Sequence, residues 1–309
     1  MARHAEKKKV RKGRVFVSIL LLLLVIAVVL GGIGFFQYQA SLKKAEKASQ
    51  MKSFEFNGAK QDGNSVNILF IGSDSRGADQ GRSDSLMIAH YNKKTKQPKL
   101  VSLMRDTYVD IPGHGKNKIN AAYSYGGPDL VRKTVKENFG IDCQYYVVTN
   151  FESFAKIIDT LAPNGIEIDA EKDMSENIDV AIKAGKQKMN GHTLLQYARF
   201  RHDAEGDFGR VRRQQQVLTA VKEQAVTATS VFKFPSVLGT VQGYTSTDLP
   251  TSLVLKTGMD FVLGRTDELK TLTVPVKDTW ENQRIAGAGA VLRVDISANR
   301  KAVEAFLKD

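Results

Sequence analysis

The run "VFVSILLLLLVIAVVLGGIGFF", residues 15–36, holds twenty-two residues without a charge. A helix of about 20 apolar residues spans the hydrocarbon of a bilayer. A cleaved export signal has a shorter apolar core, about 7–15 residues, closed by a small-residue site. Here the run is longer, and "QYQASLKKAEK" after it offers only a weak Ala/Ser site. Residues 15–36 therefore read as an uncleaved transmembrane helix with the lipid bilayer as its partner. Seven Lys/Arg precede it, against Lys43, Lys44 and Lys47 after it. Positive residues stay on the cytoplasmic side. The expectation is a single-pass protein of the cell membrane: a basic cytoplasmic tail (1–14), the transmembrane helix (15–36), an extracytoplasmic stalk (37–64) and an extracytoplasmic folded domain (65–309).

This topology also accounts for the charge. The chain of 309 residues carries a formal +12, which by itself invites a nucleic-acid reading. Residues 1–52 contain eleven Lys/Arg and two Glu, a net +9, leaving +3 for the remaining 257 residues. The basic bias belongs to the leader, and nucleic acid is excluded as a partner. One cysteine, Cys143, cannot form an internal disulfide, and no Cys–His or zinc spacing surrounds it. It reads as a core residue beside "YYVV".

From residue 65 onward strands and helices alternate without an internal repeat. "VNILFIG" (66–72), "SLMIAHYN" (85–92) and "KLVSLMRDTYVDI" (99–111) are predicted strands, the last two joined as an antiparallel hairpin by "KKTKQP". "GGPDLVRKTVKENFG" predicts a helix with Pro128 at its first position and a terminal glycine. "QYYVVTN" and "IEID" read as strands flanking a helix over "FESFAKIIDTLA". Residues 191–201 and 209–226 read as two helices separated by the loop "HDAEGD". "LKTLTVPV" and "AVLRVD" are strands, and the closing helix is capped by Ser297. The fold class is α/β: one domain with a single mixed central sheet covered by helices on both faces.

Two stretches carry candidate chemistry. "IGSDSRGADQGRSDSLMIAH" sets Asp74 just after the first strand and Asp84 just before the second, with Arg76 and Arg82 between. If the first three strands run up, down and up, then Asp74, Asp84 and Arg105 emerge at one rim. Two carboxylates beside arginines suit Mg²⁺ held by hard oxygen ligands, with guanidinium groups on the phosphates that complete its shell. They equally suit a solvated loop whose Asp and Arg pair with one another. "RFRHDAEGDFGRVRRQQQ" (199–216) contains five arginines and no lysine. Arg199 and Arg201 converge only if their helix ends there. Arg210, Arg213 and Gln214 share a helical face, and Arg212 points elsewhere into solvent. Asp207 is placed to cap this second helix, and arginine in a first turn is disfavoured by the dipole unless an anion is collected there. An exposed charged helix is the alternative.

Taken in order, "NILFIGSDSR", "GRSDSLMIAH", "VSLMRDTYVDIPG", "KINAAYSYGG", "MNGHTLLQYARFRHDAEGDFGRVRRQQQ" and "TVPVKDTW" resemble the LytR-CpsA-Psr family, from about residue 66 to the C-terminus. The resemblance implies that family's fold, a central sheet between helices. It also implies an extracytoplasmic phosphotransferase of Gram-positive-type bacteria. Such enzymes move a glycopolymer, wall teichoic acid or capsular polysaccharide, from an undecaprenyl-pyrophosphate carrier to peptidoglycan through a phosphodiester. By motif, Asp74 and Asp84 are then the ligands of Mg²⁺, with Mn²⁺ as the alternative ion, and one of them is the catalytic base. Arg82, Arg105, Arg199 and Arg201 bind the pyrophosphate, Arg105 counting with Asp84 and Asp74 as catalytic too, with Arg210 and Gln214 close by and Arg76 on a phosphate. Asp207 and Lys118 stand in matching motifs and are counted with the same set. The resemblance leaves two rival activities: hydrolysis of the pyrophosphate, and membrane-bound transcriptional regulation. The second would need a DNA-binding element within about fourteen cytoplasmic residues. Glycan contacts are expected from "IPGHGKN" (111–117) and a loop around Trp280.

Overall fold

The computed structural model describes residues 6–49, 51–60, 63–73, 81, 83–224 and 230–308, with side chains described at Val25 and from residue 29 onward apart from 230–232 and 262. A long helix α1 (Glu6–Ser49) leads into β1 (Ser65–Ser73), β2 (Ser83–Asn92), β3 (Pro98–Leu103), β4 (Thr107–Ile111) and β5 (Gly115–Lys118). Then follow α2 (Ala121–Phe139), β6 (Tyr145–Asn150), α3 (Phe151–Leu161), β7 (Ile166–Ala170), β8 (Gly185–Met189), α4 (Gly191–Arg199) and α5 (Gly206–Gln224). The C-terminal part contains α6 (Ser230–Gly243), β9 (Ser246–Thr247), α7 (Thr251–Val262), β10 (Lys270–Val274), β11 (Trp280–Ile285), β12 (Gly289–Val294) and α8 (Ile296–Leu307).

The central sheet is mixed and six-stranded, in the order β10-β3-β2-β1-β6-β9. β1, β2 and β3 are antiparallel neighbours, as the up-down-up reading requires, and β6 and β10 add in parallel. Period-two alternation separates the two faces. Leu86, Ile88, Val101, Leu103 and Val274 enter a core shared with Val131, Val135 and Phe139 of α2 and Val303 of α8. Ser85, Ser102 and Thr273, the intervening residues, meet α5 on the opposite face through Gln214 and Gln215. Helices on both faces of a mixed sheet are thus observed.

The sheet is not single, however. A four-stranded sheet (β11-β12-β4-β5) and a two-stranded one (β7-β8) accompany it. The predicted strand over 99–111 is really two strands in different sheets. A tight turn divides them: both the backbone N–H and the hydroxyl of Thr107 donate to the Met104 carbonyl, at 3.0 and 2.6 Å. That break carries Arg105 to the rim.

Helix ends follow local chemistry. Asn150 and Asn190 accept from the backbone N–H of Ser153 and Thr193 and cap α3 and α4. α2 is kinked at Gly126 and Gly127, where φ at Gly127 is 62°, so Pro128 does begin a regular helical run, which closes on Gly140 in the left-handed region. The cap of α8 is Asp295 rather than Ser297, its carboxylate accepting from Ala298 N–H at 2.9 Å. α5 begins at Gly206, earlier than the sequence indicated, after a turn in which Asp203 accepts from the N–H groups of Glu205 and Gly206. Asp207 is therefore a first-turn residue and not the cap. Among the described residues no helix is long and apolar enough to cross a membrane; within the expected anchor, residues 15–36, the side chains of 15–24 and 26–28 lie outside the described set.

Candidate active site

The upper rim of the central sheet, the Thr107 turn and the junction of α4 with α5 enclose a cavity of about 480 Å³. Asp84, Ser85, Arg105, Phe151, Asn177, Arg199, Arg201, His202, Arg210 and Gln214 line it. Four guanidinium groups thus face one described carboxylate, an arrangement built for an anion. Arginine in particular offers planar forks that match phosphate oxygens.

Asp84, near the start of β2, accepts from Arg105 Nη1 at 2.5 Å. Its backbone carbonyl accepts from Arg210 Nη2 at 3.1 Å, and Arg210 also donates to Asp207 at 2.8 Å. Gln214, one turn on, donates to Ser85 Oγ at 2.8 Å. Arg105 and Arg210 are therefore oriented by carboxylates, Asp84 in the cavity wall itself and Asp207 behind it. Arg199, the last residue of α4, lies over the ring of Phe151 at 4.4 Å, a cation–π contact that fixes a long side chain. Because α4 ends there, Arg201 also reaches the cavity, as the sequence required for convergence.

The electrostatics differ between the two buried arginines. Burial alone would lower the Arg105 pKa, but the carboxylates of Asp207, Asp84 and Asp106 outweigh it and hold the group above its ordinary value. Arg210, more deeply buried, is pulled below its ordinary value, first by burial and then by Arg105 and Arg201, against Asp207 and Asp84. Among the described residues the buried Nε–H groups of both arginines find no hydrogen-bond partner, although the Asp207 and Asp106 carboxylates lie 3.5 and 3.7 Å from that of Arg105. An unsatisfied buried donor costs about 1–3 kcal/mol, and a bound anion in the cavity is one partner that would offset it.

Asp84, Arg105, Arg199, Arg201, Arg210 and Gln214 are thus brought together. Asp207 and Lys118 stand behind the lining: Asp207 on Arg210, and Lys118 on Asp106 at 2.8 Å. Asp74, Arg76 and Arg82 lie outside the described residues. Among the described residues no group of three or more His, Cys, Asp or Glu is set to hold a metal. An ion at Asp84 would have to complete its shell from Asp74, water and substrate oxygens, a hard all-oxygen set that suits Mg²⁺.

The profile of the LytR_cpsA_psr family matches residues 33–301. The chain belongs to the LytR-CpsA-Psr family. It is 44% identical over 273 residues to regulatory protein MsrR of Staphylococcus aureus (strain COL), covering 88% of this chain and 84% of that one. It is 39% identical over 186 residues, 60% of each chain, to the polyisoprenyl-teichoic acid–peptidoglycan teichoic acid transferase TagU of Bacillus mycoides (strain KBAB4). The crystal structure of B. subtilis TagV superposes with a TM-score of 0.68 at 29% identity, covering 80% of this chain and 98% of that one.

Four lining residues of this LytR-CpsA-Psr domain escaped the sequence reading: Ser85, Phe151, Asn177 and His202. His202 follows Arg201 directly, and its Nε2 is 2.6 Å from the Asn177 amide nitrogen. Adjacency to Arg201 was the available signal for His202, and adjacency to Asp84 the signal for Ser85. Asn177 lies between β7 and β8, distant in sequence and without a motif. Trp280 is not in a loop but begins β11, where its ring stacks on Phe208 of α5 at 4.8 Å. In the other predicted glycan-contact segment, His114 stacks on Tyr125 at 4.7 Å.

Proposed function

We propose that this protein is a membrane-anchored, extracytoplasmic phosphotransferase. It moves a glycopolymer of the teichoic acid or capsular type from an undecaprenyl-pyrophosphate carrier to a hydroxyl of peptidoglycan. The observation that carries the reading is the cavity in which Arg105, Arg199, Arg201 and Arg210 converge on Asp84. Phosphoryl transfer asks a protein chiefly for positioning and charge neutralisation, and this cavity has the groups for both. The transferase named among its relatives acts on the same kind of donor and acceptor.

In this reading the arginines clamp the pyrophosphate, Arg105 and Arg210 being held in place by Asp84 and Asp207. The acceptor hydroxyl forms a P–O bond at the glycan-linked phosphorus, and the bridging P–O bond breaks to release polyprenyl phosphate. The hydroxyl proton passes to a carboxylate, Asp84 or Asp74. Asp84 and Asp74 are also the residues that would hold Mg²⁺ or Mn²⁺, which when bound neutralises phosphate charge. Residues 15–36 anchor the domain at the outer face of the membrane, where donor and acceptor meet. The test is turnover of a synthetic polyprenyl-pyrophosphate saccharide by the purified chain. Asp84→Asn and Arg105→Ala should each lower it by about 100-fold or more, the scale of losing a preorganised electrostatic partner. Undiminished turnover in either folded variant would overturn the assignment.

A further inference from the structure

The stalk does not leave α1 as a free tether. α1 and α6 run side by side, and glycines allow their backbones to touch. A Cβ on Gly239 would lie 2.4 Å from the Tyr38 carbonyl oxygen, and one on Gly243 would lie 2.8 Å from the Leu42 carbonyl oxygen. A Cβ on Gly34 would lie 3.4 Å from the Pro235 ring. The three pairs, 34 with 235, 38 with 239 and 42 with 243, keep one offset, so the helices are parallel and in register. Side-chain bonds between Tyr38 and Gln242 and between Ser41 and Ser236, offset to either side of these pairs, tie the same two helices together.

That register has a consequence for depth. Pro235 meets Gly34, and the first turn of α6 is level with about residues 29–34, within the apolar run 15–36. If α1 crosses the bilayer, the first turn of α6 is carried down to the membrane beside it. α7 is packed against the same end: a Cβ on Gly258 would lie 2.7 Å from the Phe234 ring. Among the described residues, large apolar side chains are exposed at this level. Val29, Leu30, Ile33, Phe35 and Phe36 of α1 are 50–75% exposed, and Leu255 of α7 and Leu263, the residue that caps the end of α7, are each 42% exposed. Exposed Lys233 and Lys256 flank them, as cations do where a helix lies in a lipid headgroup layer.

We infer that the face carrying Leu255 and Leu263, which the start of α6 sets beside α1, is seated in the outer leaflet, so that the domain rests on the lipid surface instead of hanging from a stalk. The occupant is lipid because the face is continuous with the apolar run of α1. The inference rests on the anchor reading of residues 15–36. The buried Cys143, 0% exposed, does not interfere with thiol labelling elsewhere.

The experiment uses the full chain in vesicles of phosphatidylethanolamine and phosphatidylglycerol. Single cysteines at Leu255→Cys, Leu263→Cys, Leu30→Cys and Lys116→Cys carry an environment-sensitive fluorophore. Leu30 reports the anchor and Lys116, on the exposed β4–β5 hairpin, reports the solvent side. The expected result is a blue shift at 255 and 263, loss of intensity with nitroxide-labelled lipids, and protection from iodide, as at 30 and unlike 116. Iodide quenching at 255 and 263 with lipid quenching at 30 would overturn the inference and leave the anchor standing. Protection at 255 and 263 from both quenchers would also overturn it, in favour of a second copy or another protein. Iodide quenching at 30 would overturn the anchor itself, and the inference with it.

Discussion

Removing Arg213 should unfold the active-site wall from behind. Arg213 is fully buried, and its guanidinium donates to Glu171 Oε1 (Nε, 2.9 Å), to the Phe200 carbonyl (Nη1, 2.9 Å) and to Asp203. It thereby pins both sides of Arg201 and His202, two lining residues of the cavity. In Arg213→Leu the Asp203 carboxylate, 6% exposed, keeps among the described residues only Lys172 and two backbone N–H donors. Removing one partner of a buried ion pair costs about 3–5 kcal/mol. For a domain of this size each kcal/mol lowers Tm by about 2–4 °C, so the expected drop is roughly 6–20 °C. The measurement is calorimetry as a function of pH. Burial alone would raise the Asp203 pKa, but the hydrogen bonds from Arg213 and Lys172 outweigh it and hold the carboxylate below its usual range. Such a group contributes stability above its unfolded pKa, about 3.9, and loses that contribution as pH falls through the lower folded value. Wild type should therefore lose Tm steeply below about pH 4, and Arg213→Leu should be flatter there. A variant within about 2 °C of wild type at neutral pH would refute the reasoning.

Two further outcomes follow from the same structure. Arg212 is exposed and bonded to Glu171 and Glu205, so Arg212→Ala should cost at most about 1 kcal/mol and shift Tm by no more than about 4 °C, which thermal unfolding can check against Arg213→Leu. Burial pushes the Cys143 thiol well above its ordinary pKa; in the native chain it should resist thiol reagents that label it completely after denaturation, as mass spectrometry would read.

The strands and the rim were legible because their signals are local. Apolar runs closed by turn residues marked β1, β2 and β6, and the alternation of direction alone brought Asp84 and Arg105 together, now 2.5 Å apart. The division into three sheets was not legible. β4 buries alternate residues as a central strand would, and only the Thr107 turn sends it to another sheet. The role of Arg213 was hidden for a related reason. Helical spacing put Arg210, Arg213 and Gln214 on one face, but α5 lies between the central sheet and the α4–β7 unit. Arg210 and Gln214 turn to β2, and Arg213 turns to Glu171 and the Phe200 carbonyl. Arg212, read as solvated, is exposed as expected yet paired with two glutamates. α6 and α7 carry no chemical motif, and their placement depends on contacts with α1 and the sheet that no single segment encodes.

The most direct test of the account is the product formed when the purified full chain meets a lipid-linked saccharide donor and peptidoglycan oligomers. The predicted result is a saccharide joined to the oligomer through a phosphodiester, released together with polyprenyl phosphate and lost in Arg105→Ala. Donor cleavage that yields only a free phosphosaccharide, whether or not the acceptor is present, would contradict it.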